Sequence, residues 1–295
     1  MSYIILDLEW NNTYFKKENR FINEILQIGA VKLNDKLNIV DSFQVIVKSF
    51  LTKRLSSRVK DLTGITNEQM LSGVPLHEAV KLYNDWVGND AITMTWSNSD
   101  LYAILENSRV FLENQLTLKI EKYVNLQAFV QNELRISGVE LKNQISLNNA
   151  ATLLNVSTEG FELHNAKDDS ALAALLLKRT YNEKRFSELI CDTTDPEFYG
   201  RLTFKPYYLS NVRDERINKN YLIFSCPNCE KPVKRINKWK YRNNWLRAEF
   251  YCKFCDIKLK GMISAKQTFN KVIIKKRILP ISSSAEEKAT KNVKM

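Results

Sequence analysis

Four carboxylates and one histidine occupy positions at which side-chain chemistry is expected. Asp7 and Glu9 end a run of apolar residues near the start of the chain. Side chains alternate along a strand, so these two acids point to the same face. Two acids that close repel each other unless a cation lies between them, and a hard divalent cation with oxygen ligands is the usual solution. The pair therefore predicts a divalent-metal site at a strand end.

Two further acids and the histidine follow later in the sequence. Asp100 comes after the strand-like stretch 91–96, and Asp169 precedes the apolar run 171–177 of a predicted helix. An acid that enters a helix packed against the core needs a charged partner, which a metal ion would provide. His164 lies in the loop before that helix. Since an imidazole has a pKa of about 6.5, His164 can accept a proton from water near neutral pH.

The order of these residues resembles the three motifs of the DEDDh-type 3′→5′ exonucleases of the RNase H-like superfamily. Asp7-x-Glu9 resembles the first motif, Asp100 the second, and His164-x-x-x-x-Asp169 the third. The resemblance covers about residues 1–182. Each motif alone is weak, whereas all three in order are specific.

Two details extend the resemblance. The sequence TGIT at residues 63–66 is similar to the segment that this family carries between its first two motifs. The Thr-Trp-x-x-x-Asp form of residues 95–100 resembles the branch that trims the 3′ ends of small RNAs and histone messages. The resemblance thus implies an exonuclease acting on single-stranded RNA 3′ ends, with single-stranded DNA as the alternative substrate. A nucleic-acid-binding adaptor that keeps the fold without activity is the rival, and the presence of all five motif residues disfavours it.

The resemblance also assigns roles to the five residues. It implies that Asp7, Glu9, Asp100 and Asp169 hold two Mg²⁺ or Mn²⁺ ions and that His164 is the general base. Two such ions about 3.5–4 Å apart can stabilise the attacking and leaving oxygens of a displacement at phosphorus. Asp168 is an alternative ligand, although the His-x₄-Asp spacing selects its neighbour.

Trp10 directly follows the acidic pair. An aromatic ring beside the site could stack on a terminal base. Packing in the core is an equally good interpretation.

The elements that would position these residues form an α/β layer with a mixed sheet and an antiparallel meander at its start. The meander consists of strands 2–8, 24–33 and 41–48, with a polar loop at 11–23 and a turn at Asn34-Asp35. Further strands are predicted at 91–96 and 122–126. Helices are predicted at 56–62, from a capping box at Thr66 and Gln69, at 76–87, after Ser99, at 147–156 and at 166–181. An exonuclease domain would thus span residues 1–182.

Four of the five cysteines form two Cys-x-x-Cys pairs, Cys226 with Cys229 and Cys252 with Cys255. In a cytoplasmic protein this pattern favours a metal over disulfides. Four thiolates suit tetrahedral Zn²⁺, which predicts a structural zinc ribbon at 222–264; a redox dithiol is the alternative. Cys191 is left over and is predicted to be a small core residue.

The net positive charge of the chain comes entirely from its last third. Residues 1–182 hold 19 Lys and Arg against 21 Asp and Glu, whereas residues 183–295 hold 25 against 12. Cations and aromatic residues alternate between the cysteine pairs, a composition suited to phosphates and bases. Phe250 and Tyr251 are expected in the ribbon core, and a protein-docking role for the module stays open. The predicted nucleic-acid contacts are Trp239, Tyr241, Trp245, Lys238, Lys240 and Arg242.

The remaining segments are a connector at 183–221 and a basic tail at 265–295. No apolar run reaches the roughly 20 residues of a membrane helix. The first residues lack the basic and apolar regions of a signal peptide. A cytoplasmic location is therefore expected.

Overall fold

The computed structural model describes residues 2–281, and the chain divides after Phe198 into two compact units. In the first unit a six-stranded sheet has the order β3-β2-β1-β4-β5-β6. Its strands are β1 (Ser2–Phe15), β2 (Arg20–Leu33), β3 (Ile39–Ile46), β4 (Ala91–Thr95), β5 (Lys122–Asn125) and β6 (Cys191–Asp192). Strands β1, β4 and β5 are parallel, while β2, β3 and β6 run antiparallel to their neighbours. The predicted mixed α/β sheet that starts with a meander is confirmed.

Eight helices of the described chain belong to this unit, and a ninth crosses the division. They are α1 (Ser57–Thr63), α2 (Asn67–Ser72), α3 (Leu76–Val87), α4 (Ser99–Phe111), α5 (Leu126–Ile136), α6 (Leu147–Leu153), α7 (Ala166–Thr180), α8 (Glu183–Ser187) and α9 (Pro196–Thr203). The capping box at Thr66 and Gln69 is confirmed at the start of α2. Helix α7 packs on β1 and β2, and its buried face includes Leu172, Leu176 and Leu177.

The predicted polar loop at 11–23 is wrong. Strand β1 continues to Phe15 and pairs with β2 as far as Arg20, so these residues form a long antiparallel hairpin. The tip of the hairpin is mostly exposed or half-buried, although Ile22 is 1% exposed, and Asn12 donates a hydrogen bond to Asn23 across the strands at 2.9 Å. Polar and apolar residues do not alternate regularly along this segment, so the sequence pattern did not reveal the two strands.

The first unit also extends beyond the predicted boundary at residue 182. Phe186 of α8 is 1% exposed and packs edge-on against Phe129, with 5.3 Å between the ring centroids. Strand β6 adds an antiparallel edge to β5. Residues 183–192 are thus part of the first unit rather than a connector. Cys191 is exposed on this short edge strand, so its predicted place in the core is wrong.

The second unit is built on an antiparallel sheet. Its strands are β7 (Tyr207–Tyr208), β8 (Lys234–Arg235), β9 (Lys240–Arg242), β10 (Trp245–Cys252), β11 (Ile257–Gln267) and β12 (Val272–Pro280). Strand β11 pairs with β10 on one side and β12 on the other, while β8 and β9 both pair with β10.

The segment 265–280 is folded rather than forming part of a basic tail. Strand β12 pairs with β11 from Val272 to Pro280. Ile274 and Ile278 pack against the buried cluster of the unit, while the charged run between them conceals the strand pattern in the sequence. The rest of the predicted tail, residues 282–295, lies outside the described residues. Over residues 2–281, no helix has the length and apolar character needed to cross a membrane.

Candidate active site

Three elements bring the four predicted carboxylates together. Asp7 and Glu9 lie on β1, and Asp100 and Asp169 lie in the first turns of α4 and α7. The Asp100 Oδ1 accepts a hydrogen bond from the Leu8 backbone N–H at 3.2 Å, which fixes the start of α4 against the strand. Glu9 and Asp100 are 9% and 4% exposed. The acids are thus clustered in a largely water-free environment.

His164 lies at the edge of this cluster. Its backbone is left-handed, with φ of 65°, and its N–H donates to the Asp169 Oδ2 at 3.1 Å. Potential ligand atoms of Glu9, His164 and Asp169 all lie within 4.8 Å of one another. Asp168 points elsewhere, since its Oδ2 accepts a hydrogen bond from the Glu162 N–H. The geometry therefore brings Asp169, and not its neighbour, to the cluster.

The carboxylates strongly perturb one another's protonation. Burial, followed by the charges of Asp100, Glu9 and Asp169, holds the pKa of Asp7 well above its usual range. Burial, then Asp169 and Asp100, raises the pKa of Glu9 to about 8. Burial likewise raises the pKa of Asp100 to about 7, against the opposing effect of backbone hydrogen bonds. At neutral pH the cluster consequently favours uptake of either protons or cations.

The donor set fits a hard divalent cation. Among the described residues, no lysine or arginine forms an ion pair with any of the four acids. Buried carboxylates without a protein cation need another source of positive charge. Carboxylate oxygens are the ligands that Mg²⁺ and Mn²⁺ prefer.

Helix α7 is held against the sheet by residues that the sequence analysis missed. Gly29 lies opposite Asp7 on β2, and a Cβ placed there would lie 2.2 Å from the Lys167 backbone nitrogen. The Gln27 Oε1 accepts a hydrogen bond from the Ala166 N–H at 2.9 Å. Together they set the position of the helix end that carries Asp169. A glycine inside an apolar strand is the sequence signal for such a close approach.

Helix α4 is fixed in a similar way by the buried Asn107. Its Oδ1 accepts from the Ile25 N–H at 3.1 Å, and its Nδ2 donates to the Asn23 carbonyl at 2.7 Å. The sequence contains no pattern that would have identified Asn107.

Trp10 is half-buried on β1 beside a bulge, where the pairing shifts so that Trp10 lies opposite Ile25.

The four predicted zinc ligands converge in the second unit. The Sγ atoms of Cys226 and Cys255 are 3.9 Å apart, and those of Cys229 and Cys252 are 3.6 Å apart. Tetrahedral coordination at a Zn–S distance of about 2.3 Å requires sulfur atoms roughly 3.8 Å apart. Glu230 and Asp256, which follow the two pairs, both have a left-handed backbone. The two loops thus have matching conformations, and the cysteine cluster is compatible with a zinc ribbon.

The structure separates the predicted nucleic-acid contacts into two groups. Trp239 packs into the hydrophobic cluster of the unit, with its ring centroid 5.9 Å from that of Phe250, so it is less available than expected. Tyr251 is half-buried and lies outside that cluster, unlike Phe250, which is 2% exposed. Trp245 is half-buried too. The other four predicted contacts are exposed: Lys238, Lys240, Tyr241 and Arg242.

Comparisons with known proteins match the first unit. The RNase_T family model, described as Exonuclease, matches residues 4–177. The chain is 25% identical over 179 residues to the PolC-type DNA polymerase III of Thermotoga petrophila, covering 60% of this chain but only 12% of the polymerase. It is 23% identical over 194 residues to the probable 3′-5′ exonuclease KapD of Bacillus subtilis, covering 63% of this chain and 88% of that protein.

A solved structure with a similar fold is the nuclease domain of 3′hExo, a DEDDh family member bound to rAMP. It aligns with a TM-score of 0.51 and 23% identity, covering 60% of this chain and 90% of that chain. The likeness concerns the fold of the first unit.

Proposed function

The chain belongs to the exonuclease (RNase_T) family, and we propose that it is a metal-dependent 3′→5′ exonuclease that removes nucleoside monophosphates from RNA. The observation that carries this proposal is the convergence of Asp7, Glu9, Asp100 and Asp169 with His164 at their edge. These residues come from three separate parts of the sequence. Ordinary surface acids would not be buried together in this way.

The four carboxylates would hold two Mg²⁺ or Mn²⁺ ions. Such ions supply positive charge that stabilises the attacking and leaving oxygens at the scissile phosphate. Asp100 is also held against the middle of β1 by the hydrogen bond that it accepts from Leu8. Asp169 is oriented by the His164 backbone N–H, so both helix acids are held before substrate arrives.

His164 is the proposed general base. Its left-handed backbone and its hydrogen bond to Asp169 hold the residue at the edge of the carboxylate cluster, where it is exposed to solvent. An imidazole in this position can accept a proton from the attacking water near neutral pH. The proton then leaves to solvent from the exposed ring.

RNA is the proposed substrate because 3′hExo, whose fold the first unit shares, is bound to rAMP. Single-stranded DNA is the second candidate, since a DNA polymerase is among the relatives. The cysteine cluster would hold one structural Zn²⁺, and the basic second unit would contact the strand. A protein-binding role for that unit remains the alternative.

The deciding experiment uses RNA and DNA oligonucleotides of one sequence, each with a free or a blocked 3′ end. With Mg²⁺, the protein should release nucleoside monophosphates from free 3′ ends and act faster on RNA. Asp7→Asn should abolish release while the fold survives. Equal digestion of blocked ends would contradict exonuclease action, and binding without any release would instead favour an adaptor.

A further inference from the structure

One face of the second unit's sheet is open and rich in positive charge. In β10, alternate residues from Leu246 to Cys252 are buried, so the residues between them point to the opposite face. The pairing of β10 with β8, β9 and β11, and of β11 with β12, identifies the residues of these strands that lie on the same face. The lysines and arginines on it, which we call the basic face, are Lys234, Lys240, Arg242, Arg247, Lys258, Lys260, Lys275 and Arg277.

Several cations of the basic face are neighbours that repel one another, while Glu249, opposite Lys260, is the carboxylate that β10 places among them. Arg247 is paired with Lys240 on one side and with Met262 on the other, and Met262 is paired in turn with Arg277. Like charges on adjacent strands destabilise a sheet. Among the described residues, no carboxylate forms an ion pair with any cation of the basic face. A bound polyanion would remove this repulsion.

Planar groups lie among these cations. The ring of Trp245 is half-buried, and the Arg277 guanidinium carbon lies 5.3 Å from its centroid. Tyr251 is on the same face, and its hydroxyl donates to Asp256 at 2.5 Å, which fixes the ring. The Arg247 Nε is buried and has no hydrogen-bond partner in the part of the chain that the structure describes. Unpaired bases stack on aromatic rings and on guanidinium planes, whereas the bases of a duplex are not available for stacking.

We propose that the basic face binds a single-stranded nucleic acid through its phosphates, with bases stacked at Trp245 and Arg277. This proposal rests on the proposed function, because the bound strand would be the one whose 3′ end is trimmed. It differs from the sequence expectation, which placed contacts in the segment between the cysteine pairs, by recruiting β11 and β12. An acidic protein surface would be attracted by the charge but would not use the planar groups.

The test compares two full-length variants that each lose four positive charges. The face variant carries Lys240→Gln, Lys260→Gln, Lys275→Gln and Arg277→Gln. The control carries Lys81→Gln, Lys142→Gln, Lys219→Gln and Lys271→Gln, all at exposed positions away from the basic face. Binding of a fluorescent 20-nucleotide RNA is measured by anisotropy without Mg²⁺ at several salt concentrations. Zinc content and thermal unfolding verify that each variant is folded.

The face variant should bind about tenfold or more weakly, and its log–log salt slope should fall by about 0.7 for each lost phosphate contact on a single strand. The control should retain most of the affinity. Trp245→Ala should weaken binding with the slope nearly unchanged, because stacking releases few ions. Equal losses of RNA binding in both four-charge variants, or unchanged RNA binding by the face variant, would overturn the proposal. Unchanged RNA binding together with loss of binding to an acidic protein in the face variant would indicate protein docking.

A second readout separates this proposal from the proposed function. Asp7→Asn, which changes the carboxylate cluster and leaves the basic face intact, should hydrolyse no trinucleotide with Mg²⁺ but should bind the 20-nucleotide RNA without Mg²⁺ as the wild type does. If the wild-type protein binds the 20-nucleotide RNA through the basic face yet hydrolyses nothing, the proposed function fails and the binding proposal survives. If hydrolysis is normal and the face variant binds like the wild type, only the binding proposal fails.

Discussion

The exposed histidine beside the buried acids is the residue whose role can be isolated most cleanly. His164→Ala removes the proposed proton acceptor and leaves all four carboxylates in place. We expect the turnover rate to fall by roughly 10²–10⁴, the usual contribution of a general base. Binding of an oligonucleotide in the presence of Ca²⁺ should be unchanged.

The chain offers a matched control for this variant. The sequence contains only two histidines, and the other, His77, is exposed on α3 away from the acids. His77→Ala should retain full activity. A His164→Ala protein that is as active as His77→Ala at neutral pH would rule out the general-base role.

The repulsion among the acids makes stability without divalent cations depend on pH. The pKa values of Glu9, about 8, and Asp100, about 7, are raised above their usual range, so the folded protein binds more protons than the unfolded chain. Stability therefore falls as the pH rises from about 4 to 8. In Mg²⁺-free buffer the melting temperature should drop across this range, and Mg²⁺ should restore it at pH 8.

Removing one charge should relieve the same repulsion. Asp100→Asn should raise the melting temperature of the Mg²⁺-free protein at pH 8, by about 2–4 °C for each kcal/mol gained. The exposed Asp61→Asn should leave the melting temperature unchanged. Since an asparagine Oδ1 can still accept the hydrogen bond from the Leu8 N–H, a melting temperature of Asp100→Asn at or below that of the wild type would contradict the repulsion.

Among the secondary-structure elements, the contact between α7 and β2 is the most sensitive to substitution. A Cβ at Gly29 would lie 2.2 Å from the Lys167 nitrogen, so Gly29→Ala must shift the helix end that carries Asp169. We expect weaker Mg²⁺ affinity and a rate lower by at least tenfold, together with some loss of stability. Isothermal titration with Mg²⁺ and turnover measurements report the two effects.

Gly138→Ala separates the loss of stability from the shift of the helix. Nothing lies within 4 Å of a Cβ at Gly138, but its φ of +94° strains an alanine. This variant should lose stability, on the order of 1–3 kcal/mol, and retain Mg²⁺ affinity. If both glycine variants lose Mg²⁺ affinity equally, general destabilisation and not the position of α7 is the cause.

The sequence predicted most of the elements in which burial imposed an apolar pattern. The central strands, the capping box at Thr66 and the turn at Asn34 were identified because each leaves a local signal. Helix α5 was missed because no turn residue separates it from β5. Asn125 both ends that strand and caps the helix, accepting a hydrogen bond from the Ala128 N–H at 2.9 Å. Because Asn125 belongs to both elements, the sequence shows no boundary between β5 and α5.

The candidate site was predictable in its residue types and less so in its surroundings. The sequence pattern showed the acids, and the structure brings them together, although Asp7 and Glu9 lie in the middle of β1 and not at the predicted strand end. Which aromatic residue packs inward depends on strand register, so Trp239 could not be distinguished from Trp245 by composition. Gly29 and Asn107 act through partners distant in the sequence, and only the fold brings these partners into contact.

At the scale of the whole molecule, the division between the two compact units after Phe198 indicates where the chain can be truncated without loss of residues from the first unit. A protein ending at residue 182 loses Phe186, whose ring packs on Phe129 and lies 5.9 Å from that of Tyr3. Loss of a buried phenylalanine costs about 3–5 kcal/mol. Urea unfolding should therefore find residues 1–182 markedly less stable than residues 1–198, and the longer piece should still hydrolyse a trinucleotide.

A point substitution tests the same boundary without shortening the chain. Phe186→Ala in the full-length protein should reproduce most of the stability lost on cutting at 182. The exposed Phe50→Ala, 83% exposed in the structure, serves as its control and should change stability little. Two truncated proteins of equal stability would mean that α8 and β6 contribute nothing to the first unit.

The order in which the carboxylate cluster is encoded has a consequence during synthesis. Asp7 and Glu9 are made first, whereas His164 and Asp169 come with α7, near the end of the first unit. A ribosome releases the chain from its N-terminus, and a domain folds as a unit. The carboxylate cluster cannot assemble until α7 has emerged from the ribosome and packed on β1 and β2. Through most of translation, the nascent chain therefore lacks a complete carboxylate cluster and cannot bind the divalent cations proposed for it.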